Sequence, residues 1–249
     1  MLLSFVIPVY NAAPYLRRCI ESCARLAETA RLDAEIIVVD DGSTDGSTDT
    51  IPRVKCPVKV ISQQNQGVSV ARNTGLAHAT GTWIWFVDAD DVIEKQQLTF
   101  DAKTAASADM VLTGFIWEEG GSTTSHGARQ DEVPYNLWRC WFRRDEIRQH
   151  GVRFTPGRRY AEDQEFILRY LLAVKDCQTV TVNVPLYHYT MRPGSAMTRC
   201  GAKRRMLADT AKVLMNLAAL SVKKGRMQEP WVWHEMKRLA KTLYVIARK

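Results

Sequence analysis

Four short apolar runs fall within the first ninety residues, and each breaks off into a polar cluster. "LLSFVIPVY" ends at Tyr10-Asn11, "AEIIVVD" at Asp40-Asp41-Gly42-Ser43, "VKVIS" at Gln63 to Gly67, and "TWIWFV" at Asp88 to Asp91. Continuous apolar runs of this length suit strands buried on both faces. Helical segments alternate with them. In "PYLRRCIESCARLAE" the residues Leu16, Cys19, Ile20, Cys23 and Leu26 recur at helical spacing, and "VSVARNTGLAHAT" reads as a second helix, stopped by Gly81. Strands alternating with helices predict β-α-β units and a mostly parallel α/β sheet with flanking helices. Such sheets bind ligands at the carboxyl ends of their strands, so the four polar clusters converge on one site.

The rest of the chain is less regular. "KQQLTFDAKTAASA" is helical and "DMVLTGFIWEE" is a strand. Residues 120–131, "GGSTTSHGARQD", read as a loop. "YNLWRCWFRRDEIRQHG" reads as helical, and "YAEDQEFILRYLLAV" as a helix with acids in its first turn. "TVTVNVPLYHYTM" alternates like an antiparallel edge strand. The remainder is helical and basic. The expected organisation is one α/β domain over 1–198 and a basic helical region over 199–249.

Charge sharpens that division. From Arg199 onward lie 13 of the 34 basic residues but 3 of the 27 acidic ones, so the last fifth carries +10 and the remainder −3. This asymmetry points to an anionic partner surface, lipid or nucleic acid. The six cysteines form no CxxC pair and read as reduced thiols of a cytoplasmic protein. No apolar run approaches the ~18 residues that span a bilayer. The first residues lack a basic leader and a cleavage site, so they read as a strand and not as a signal peptide.

Three acidic groups carry the chemistry. "VDADD" sets Asp88 and Asp90 at a strand end, where paired carboxylates suit Mg²⁺ or Mn²⁺ shared with substrate phosphates. The plainer reading is an acidic turn that caps a helix, and Asp91 fits that role. "VVDDGSTDGS" offers carboxylates to a base or a ribose, or is simply a tight turn. "YAEDQEF" holds Glu162 and Asp163 at a helix start, where a carboxylate can act as a general base or merely cap the helix. Arg72 in "NQGVSVARNTG" could partner a diphosphate or one of these acids, or lie exposed on its helix. "YHYTMRPGSAMT" offers His188, Arg192, Ser195 and Thr198 as a lid, although a histidine between tyrosines is more often a half-buried strand residue. Neither a dinucleotide fingerprint nor a P-loop is present.

Taken together, "SFVIPVYNAAPYLRRCIES", "IIVVDDGSTDGS", "QQNQGVSVARNTGLAHATGTWIWFVDADD" and "RFTPGRRYAEDQEFILRYLLA" resemble glycosyltransferase family 2 with its GT-A fold. The resemblance covers about residues 1–195 and leaves the C-terminal region unmatched. It implies an inverting transferase that uses a nucleotide-diphosphate sugar, UDP foremost, with Mn²⁺ or Mg²⁺. It implies a nucleotide-sugar site of Pro8, Tyr10, Asn11, Asp41, Arg72, Asp88, Asp90, His188 and Arg192. Asp88 and Asp90 form the Asp-x-Asp motif, Asp88 toward the ribose and Asp90 on the metal, and Asp163 matches the catalytic base.

Glu162, Trp138 and Trp141, with Arg143 nearby, are then expected on the acceptor side, facing a glycan or a lipid-linked acceptor in surface polysaccharide synthesis. For the tryptophans, packing into the core is the competing role. In "WVWHEMKRLAKTLYVIARK", Trp231, Met236, Leu239, Leu243 and Ile246 repeat at helical spacing among basic residues. Such a helix suits an anionic inner membrane face, not nucleic acid, or else packs on the body with a solvated basic side. A nucleotidyltransferase and a non-catalytic nucleotide-binding protein are the alternatives. The first usually carries a Gly-rich basic loop that "IPVYNAAPYL" lacks. The second has no use for a metal acid pair together with a separate acid at a helix start.

Overall fold

The computed structural model describes residues 2–96, 107–129, 132–191 and 202–248. Its first four strands are the four apolar runs: β1 (Leu2–Val9), β2 (Asp33–Asp40), β3 (Val58–Ser62) and β4 (Trp83–Phe86). They lie in the order β3-β2-β1-β4, all parallel. Helices α1 (Ala13–Thr29) and α2 (Val68–His78) make two of the crossovers. The two faces of β1 explain why its run is unbroken. Leu3, Phe5, Ile7 and Val9 join the apolar face of α1 in one core, and Val6 joins Ala71 and Leu76 of α2 in the other. Gly75 makes the second packing possible, because a Cβ there would sit 2.3 Å from a methyl of Val6. Helix α2 therefore rides directly on the sheet and carries Arg72 down with it.

Beyond β4 the sheet is mixed. The remaining strands are β5 (Val92–Ile93), β6 (Met110–Glu119), β7 (Ser122–His126), β8 (Cys140–Arg143) and β9 (Thr179–Thr190). The order continues β4-β8-β6-β9-β5, with β7 paired to β6. Among the described residues, parallel pairing returns only between β6 and β9, while β8, β7 and β5 pair antiparallel.

Three segments differ from the sequence reading. The polar stretch expected as a loop contains β7, a hairpin partner of β6 whose residues are all exposed. With neither face buried, it shows no apolar alternation. The stretch after Tyr135 is not helical throughout: a 3₁₀ turn (Leu137–Arg139) leads into β8, and only then does α3 (Arg144–His150) begin. Four residues are too few to display a period. Strand β9 is not an antiparallel edge, since it pairs parallel with β6 and antiparallel with β5. The helix expected over 95–108 falls largely outside the described residues.

Helix α4 (Glu162–Ala173) closes the second core. Its Phe166 ring packs against Phe86, Phe142 and Phe154, at centroid distances of 5.5, 5.2 and 4.2 Å. On its outer side, Leu168 and Leu172 meet Val213 and Leu217 of α5 (Ala202–Lys223) and Val232 and Leu239 of α6 (Pro230–Arg248). No helix among the described residues is long and apolar enough to cross a membrane.

Candidate active site

The strand ends converge as the topology requires. Asp40 closes β2 opposite Val9. The Val87 N–H donates to the Val6 carbonyl at 3.0 Å, which brings Asp88 to the same edge.

Arg72 is the centre of the site. Its side chain is 4% exposed, and its guanidinium donates to three carboxylates from distant parts of the chain. Nη2 lies 2.9 Å from Asp88 Oδ1, and Nη1 lies 2.5 Å from Asp163 Oδ1 and 3.2 Å from Glu162 Oε1. Its guanidinium also sits over the Phe154 ring, 5.4 Å from the centroid. The next residue holds the arrangement. Asn73 Oδ1 accepts the Phe154 N–H and Asn73 Nδ2 donates to the Phe154 carbonyl, both at 2.9 Å, which ties α2 to the segment leading into α4.

One cation among three acids leaves a surplus of negative charge, and the acids respond. Burial pushes the Glu162 carboxyl up to about 8, reinforced by the charge on Asp163 and opposed by Arg72. Burial also raises Asp163, with Arg72 opposing and Asp88 adding to the rise. Near neutral pH, Glu162 thus tends to keep its proton while Arg72 favours the ionised form of Asp163. A carboxylate with a raised pKa, held at the first turn of a rigid helix, is a competent general base.

Asp91 takes no part in this network and is buried. The Tyr187 hydroxyl donates to Asp91 Oδ2 at 2.7 Å and accepts the Asp88 N–H at 3.0 Å. Burial, together with the charges of Asp88 and Asp90, pushes the Asp91 carboxyl well above the usual range. Tyr187 thereby fixes the backbone of the acid turn. Nothing in the sequence singles it out, since it reads as one aromatic among several on a strand.

Asp41 is buried and accepts three hydrogen bonds from within the chain. Its Oδ1 accepts from Gln63 Nε2 at 2.8 Å and from the Gln66 N–H at 2.9 Å, and its Oδ2 accepts the Gly67 N–H at 2.7 Å. It holds the polar exit of β3 at the entrance to α2. Asn11, with φ at 52°, donates its N–H to Ser43 Oγ at 3.0 Å and accepts the Thr44 N–H at 2.9 Å. Ser43 and Thr44 therefore brace Asn11. The first amides of α1 are capped from across the edge, Ala12 by Ser47 Oγ and Ala13 by Asp45 Oδ2, both at 2.9 Å. Pro8 is half-buried in β1, and Tyr10 stands 55% exposed at the rim.

Several expected residues stand elsewhere. His188 is held between two strands, with Nδ1 2.7 Å from Glu94 Oε1 and Nε2 2.9 Å from Glu118 Oε2. Both ring nitrogens thus face carboxylates, which fits a strand histidine and not a diphosphate ligand. Trp141 is fully buried, 4.9 Å from the Trp85 ring, and Trp138 is buried in a stack with Tyr187 and Tyr189. Neither face is open to an acceptor, so the acceptor-side expectation for both is corrected to a core role. Arg143 lies over the Trp83 ring and donates to the Ala108 carbonyl at 2.7 Å. Arg192, Ser195 and Thr198 lie outside the described residues.

The profile of glycosyl transferase family 2 matches residues 4–167. The chain belongs to glycosyltransferase family 2. EpsJ, an uncharacterized glycosyltransferase of Bacillus subtilis (strain 168), is 31% identical over 222 residues, which covers 78% of this chain and 62% of EpsJ. The family 2 chain therefore spans about three-fifths of the length of that relative. Its fold is like that of S. aureus TarS (residues 1–349) in complex with UDP-GlcNAc, with a TM-score of 0.70 at 21% identity over 87% of this chain and 66% of TarS. It is also like the mannosyltransferase PcManGT of Pyrobaculum calidifontis in complex with GDP-Man and Mn²⁺, with a TM-score of 0.62 at 14% identity over 99% of this chain and 75% of PcManGT. At these identities the likeness carries the GT-A fold alone.

A family 2 fold commonly works with a divalent cation, and the acid turn fits one. Asp88 and Asp90 are both half-buried, and three acids crowd within four residues. Among the described residues, no group of three or more His, Cys, Asp or Glu side chains could hold a metal by itself. That donor set suits a hard cation that completes its shell with phosphate oxygens and water.

Proposed function

We propose that this chain is an inverting glycosyltransferase that moves a sugar from a nucleotide-diphosphate sugar, a UDP-sugar first, to a hydroxyl of a glycan or lipid-linked acceptor in surface polysaccharide synthesis. The observation that carries the reading is the buried Arg72, which joins Asp88 of the Asp-x-Asp turn to Glu162 and Asp163 at the start of α4. Two groups with separate duties, donor binding and proton removal, are thereby fixed to one cation. The bound UDP-GlcNAc of TarS and the GDP-Man of PcManGT support a nucleotide-sugar donor.

Asp163 takes the proton of the acceptor hydroxyl as its oxygen bonds to the anomeric carbon. The bond from that carbon to the diphosphate oxygen breaks, and the pair of electrons leaves with the nucleoside diphosphate. A single displacement inverts the anomeric centre and needs no protein nucleophile. Asp90 and Asp88 are the residues that would hold Mn²⁺ or Mg²⁺, which as a Lewis acid supplies charge neutralisation for the leaving diphosphate. Asp41 acts through the loop it pins, and Tyr10 at the rim offers its ring to the base.

The basic region over 199–249, with its helices α5 and α6, is an addition to the 1–198 unit that works at the cytoplasmic face of the membrane. The support comes from the three sides of α6. At about 100° per residue, Val232, Met236 and Leu239 share one side, toward the core. Trp233, Lys237, Lys241 and Tyr244 share another, and all four are exposed. Trp231, Met236 and Leu239 of the stripe expected to meet lipid thus pack inward, while a second, basic-aromatic stripe faces outward and suits anionic headgroups.

The test is incubation with a panel of UDP-, GDP- and dTDP-sugars and Mn²⁺, reading nucleoside diphosphate released by transfer to water. Release by the wild type that falls to background in Asp90→Ala supports the proposal. Release of sugar 1-phosphate, the leaving group when the nucleotidyl group is transferred, points to a nucleotidyltransferase, and binding without release across the panel to a non-catalytic protein.

A further inference from the structure

The loop that leads into α4 ends at the proposed base, and it is held at two points. Asn73 of α2 fixes its start at Phe154 through a pair of backbone bonds. Its end is held from α5. Asp209 Oδ2 accepts the Arg159 N–H at 3.1 Å and the Tyr160 N–H at 3.3 Å, and the Asp209 carbonyl accepts from Arg158 Nη1 at 3.1 Å. Between the two anchors, Pro156 and Gly157 are exposed.

The second anchor acts where the backbone needs it. Ala161 is the N-cap of α4, and its φ of 58° and ψ of 18° lie in the left-handed region. A residue with a Cβ keeps that conformation where its surroundings impose it. No side chain caps this helix start. The two amides bound by Asp209 are those immediately before Ala161, and Arg158 is fixed further by an ion pair with Glu165 at 2.5 Å. Asp163 follows Ala161 by two residues, so the direction in which its carboxylate leaves the turn depends on the conformation held at Ala161.

The body of α4 does not need Asp209. Phe166, Ile167 and Tyr170 are buried in the second core, and Leu168 and Leu172 pack on Val213 and Leu217 of α5. Asn216 Nδ2 adds a bond to Glu165 Oε1 at 2.8 Å. Packing thus keeps the helix in place, and what Asp209 adds is the shape of the turn.

Charge also sets Asp209 apart. The region over 199–249 holds three acids among 13 basic residues. Glu229 pairs with Arg226 and Glu235 with Arg238, each within that region. Asp209 instead gives one oxygen to two main-chain amides of a loop 50 residues earlier. Bonds from amides to a carboxylate are charge-assisted and stronger than neutral ones.

We infer that Asp209 is a positioning residue of the transfer reaction: it holds the Arg159–Tyr160 backbone so that the turn at Ala161 aims Asp163 at Arg72 and the reacting hydroxyl. The unit expected to end at 198 thus relies on α5 to place its base. The inference rests on the transferase reading for the role of Asp163.

The experiment compares the full chain with Asp209→Ala, Asp209→Asn and a control, Leu217→Ala, which shortens a buried side chain about two turns further along α5. The substrate is the nucleotide sugar that the wild type turns over, with Mn²⁺. Calorimetric titration counts the nucleotide-sugar sites, so kcat is expressed per competent site, below the unfolding transition of each variant. Hydrogen exchange of the Arg159 and Tyr160 amides is followed on the same preparations. Asp209→Ala speeds exchange of both amides and lowers kcat about a hundredfold, the scale of a misplacement of about 1 Å, with KM for the nucleotide sugar unchanged. Asp209→Asn, whose amide oxygen still accepts both N–H groups, restores both readouts. Leu217→Ala lowers the melting temperature and keeps kcat. Unchanged exchange in Asp209→Ala overturns the inference whatever kcat does. So does faster exchange with kcat unchanged, or a loss of kcat in Leu217→Ala equal to that in Asp209→Ala, which would be an effect of stability alone. A wild type that releases no nucleoside diphosphate, while Asp209 still protects the two amides, fails the transferase reading and the positioning role with it.

Discussion

Replacing Arg72 by methionine removes the one cation that three acids share, and the consequence can be sized. All four side chains are at most 30% exposed, and the contacts are 2.5, 2.9 and 3.2 Å. Removing one partner of a buried ion pair costs about 3–5 kcal/mol, because the remaining charge is left uncompensated. For a domain of this size that lowers the melting temperature by about 6–20 °C. The loss depends on pH, with a definite sign. Without Arg72, the Asp163 carboxyl, already raised by burial, binds its proton still more tightly in the folded chain than in the unfolded one. Stability is therefore fullest below the unfolded carboxyl range and falls as pH rises toward the raised folded values. Glu162, pushed up to about 8, already gives the wild type such a slope, and Arg72→Met steepens it. Over the interval from pH 5.5 to 8, one carboxyl that keeps its proton in the folded chain accounts for at most about 3 kcal/mol. Urea denaturation of both proteins at pH 5.5 and pH 8 measures this. A loss below about 1 kcal/mol, the scale of an exposed pair, or an equal loss at both pH values, would refute the account of Arg72.

Two further outcomes are expected. Tyr187→Phe removes the hydroxyl between Asp88 and Asp91 and destabilises by about 1–3 kcal/mol, read by thermal denaturation; a neutral change would mean that Asp91 does not depend on Tyr187. Lys237→Glu with Lys241→Glu abolishes sedimentation with vesicles rich in phosphatidylglycerol, and added salt weakens the wild-type binding in the same assay; salt-independent binding would place the contact elsewhere.

The parts of this architecture that follow from local pattern were legible in the sequence. Burial on two faces leaves unbroken apolar runs, so β1, β2 and β4 announced themselves, and the strand-end rule gathered Asp41, Asp88 and the Arg72 helix at one edge. Features made by contact between distant residues left no such trace. Arg72 could be read as an exposed helix residue; its burial depends on α2 riding on β1 at Gly75 and on acids ninety residues away. Trp138 and Trp141 looked like acceptor platforms because a 3₁₀ turn and a four-residue strand such as β8 are too brief to show their burial. The support of the α4 turn by α5 was also invisible. Asp209 Oδ2 accepts the Arg159 and Tyr160 N–H groups at 3.1 and 3.3 Å, and Arg158 pairs with Glu165 at 2.5 Å. No spacing rule connects an acid in a basic C-terminal helix to the loop before "AED".

The most direct test of the central claim is Asp163→Asn, with nucleotide-sugar affinity and turnover measured on the same preparation. Asparagine keeps the size of the side chain and its contact with the helix start but cannot take a proton. Isothermal titration with the nucleotide sugar turned over by the wild type, in the presence of Mn²⁺, should give a dissociation constant close to that of the wild type, while nucleoside diphosphate release falls to background. Turnover that persists in Asp163→Asn, or binding lost along with it, would contradict the assignment of Asp163 as the base.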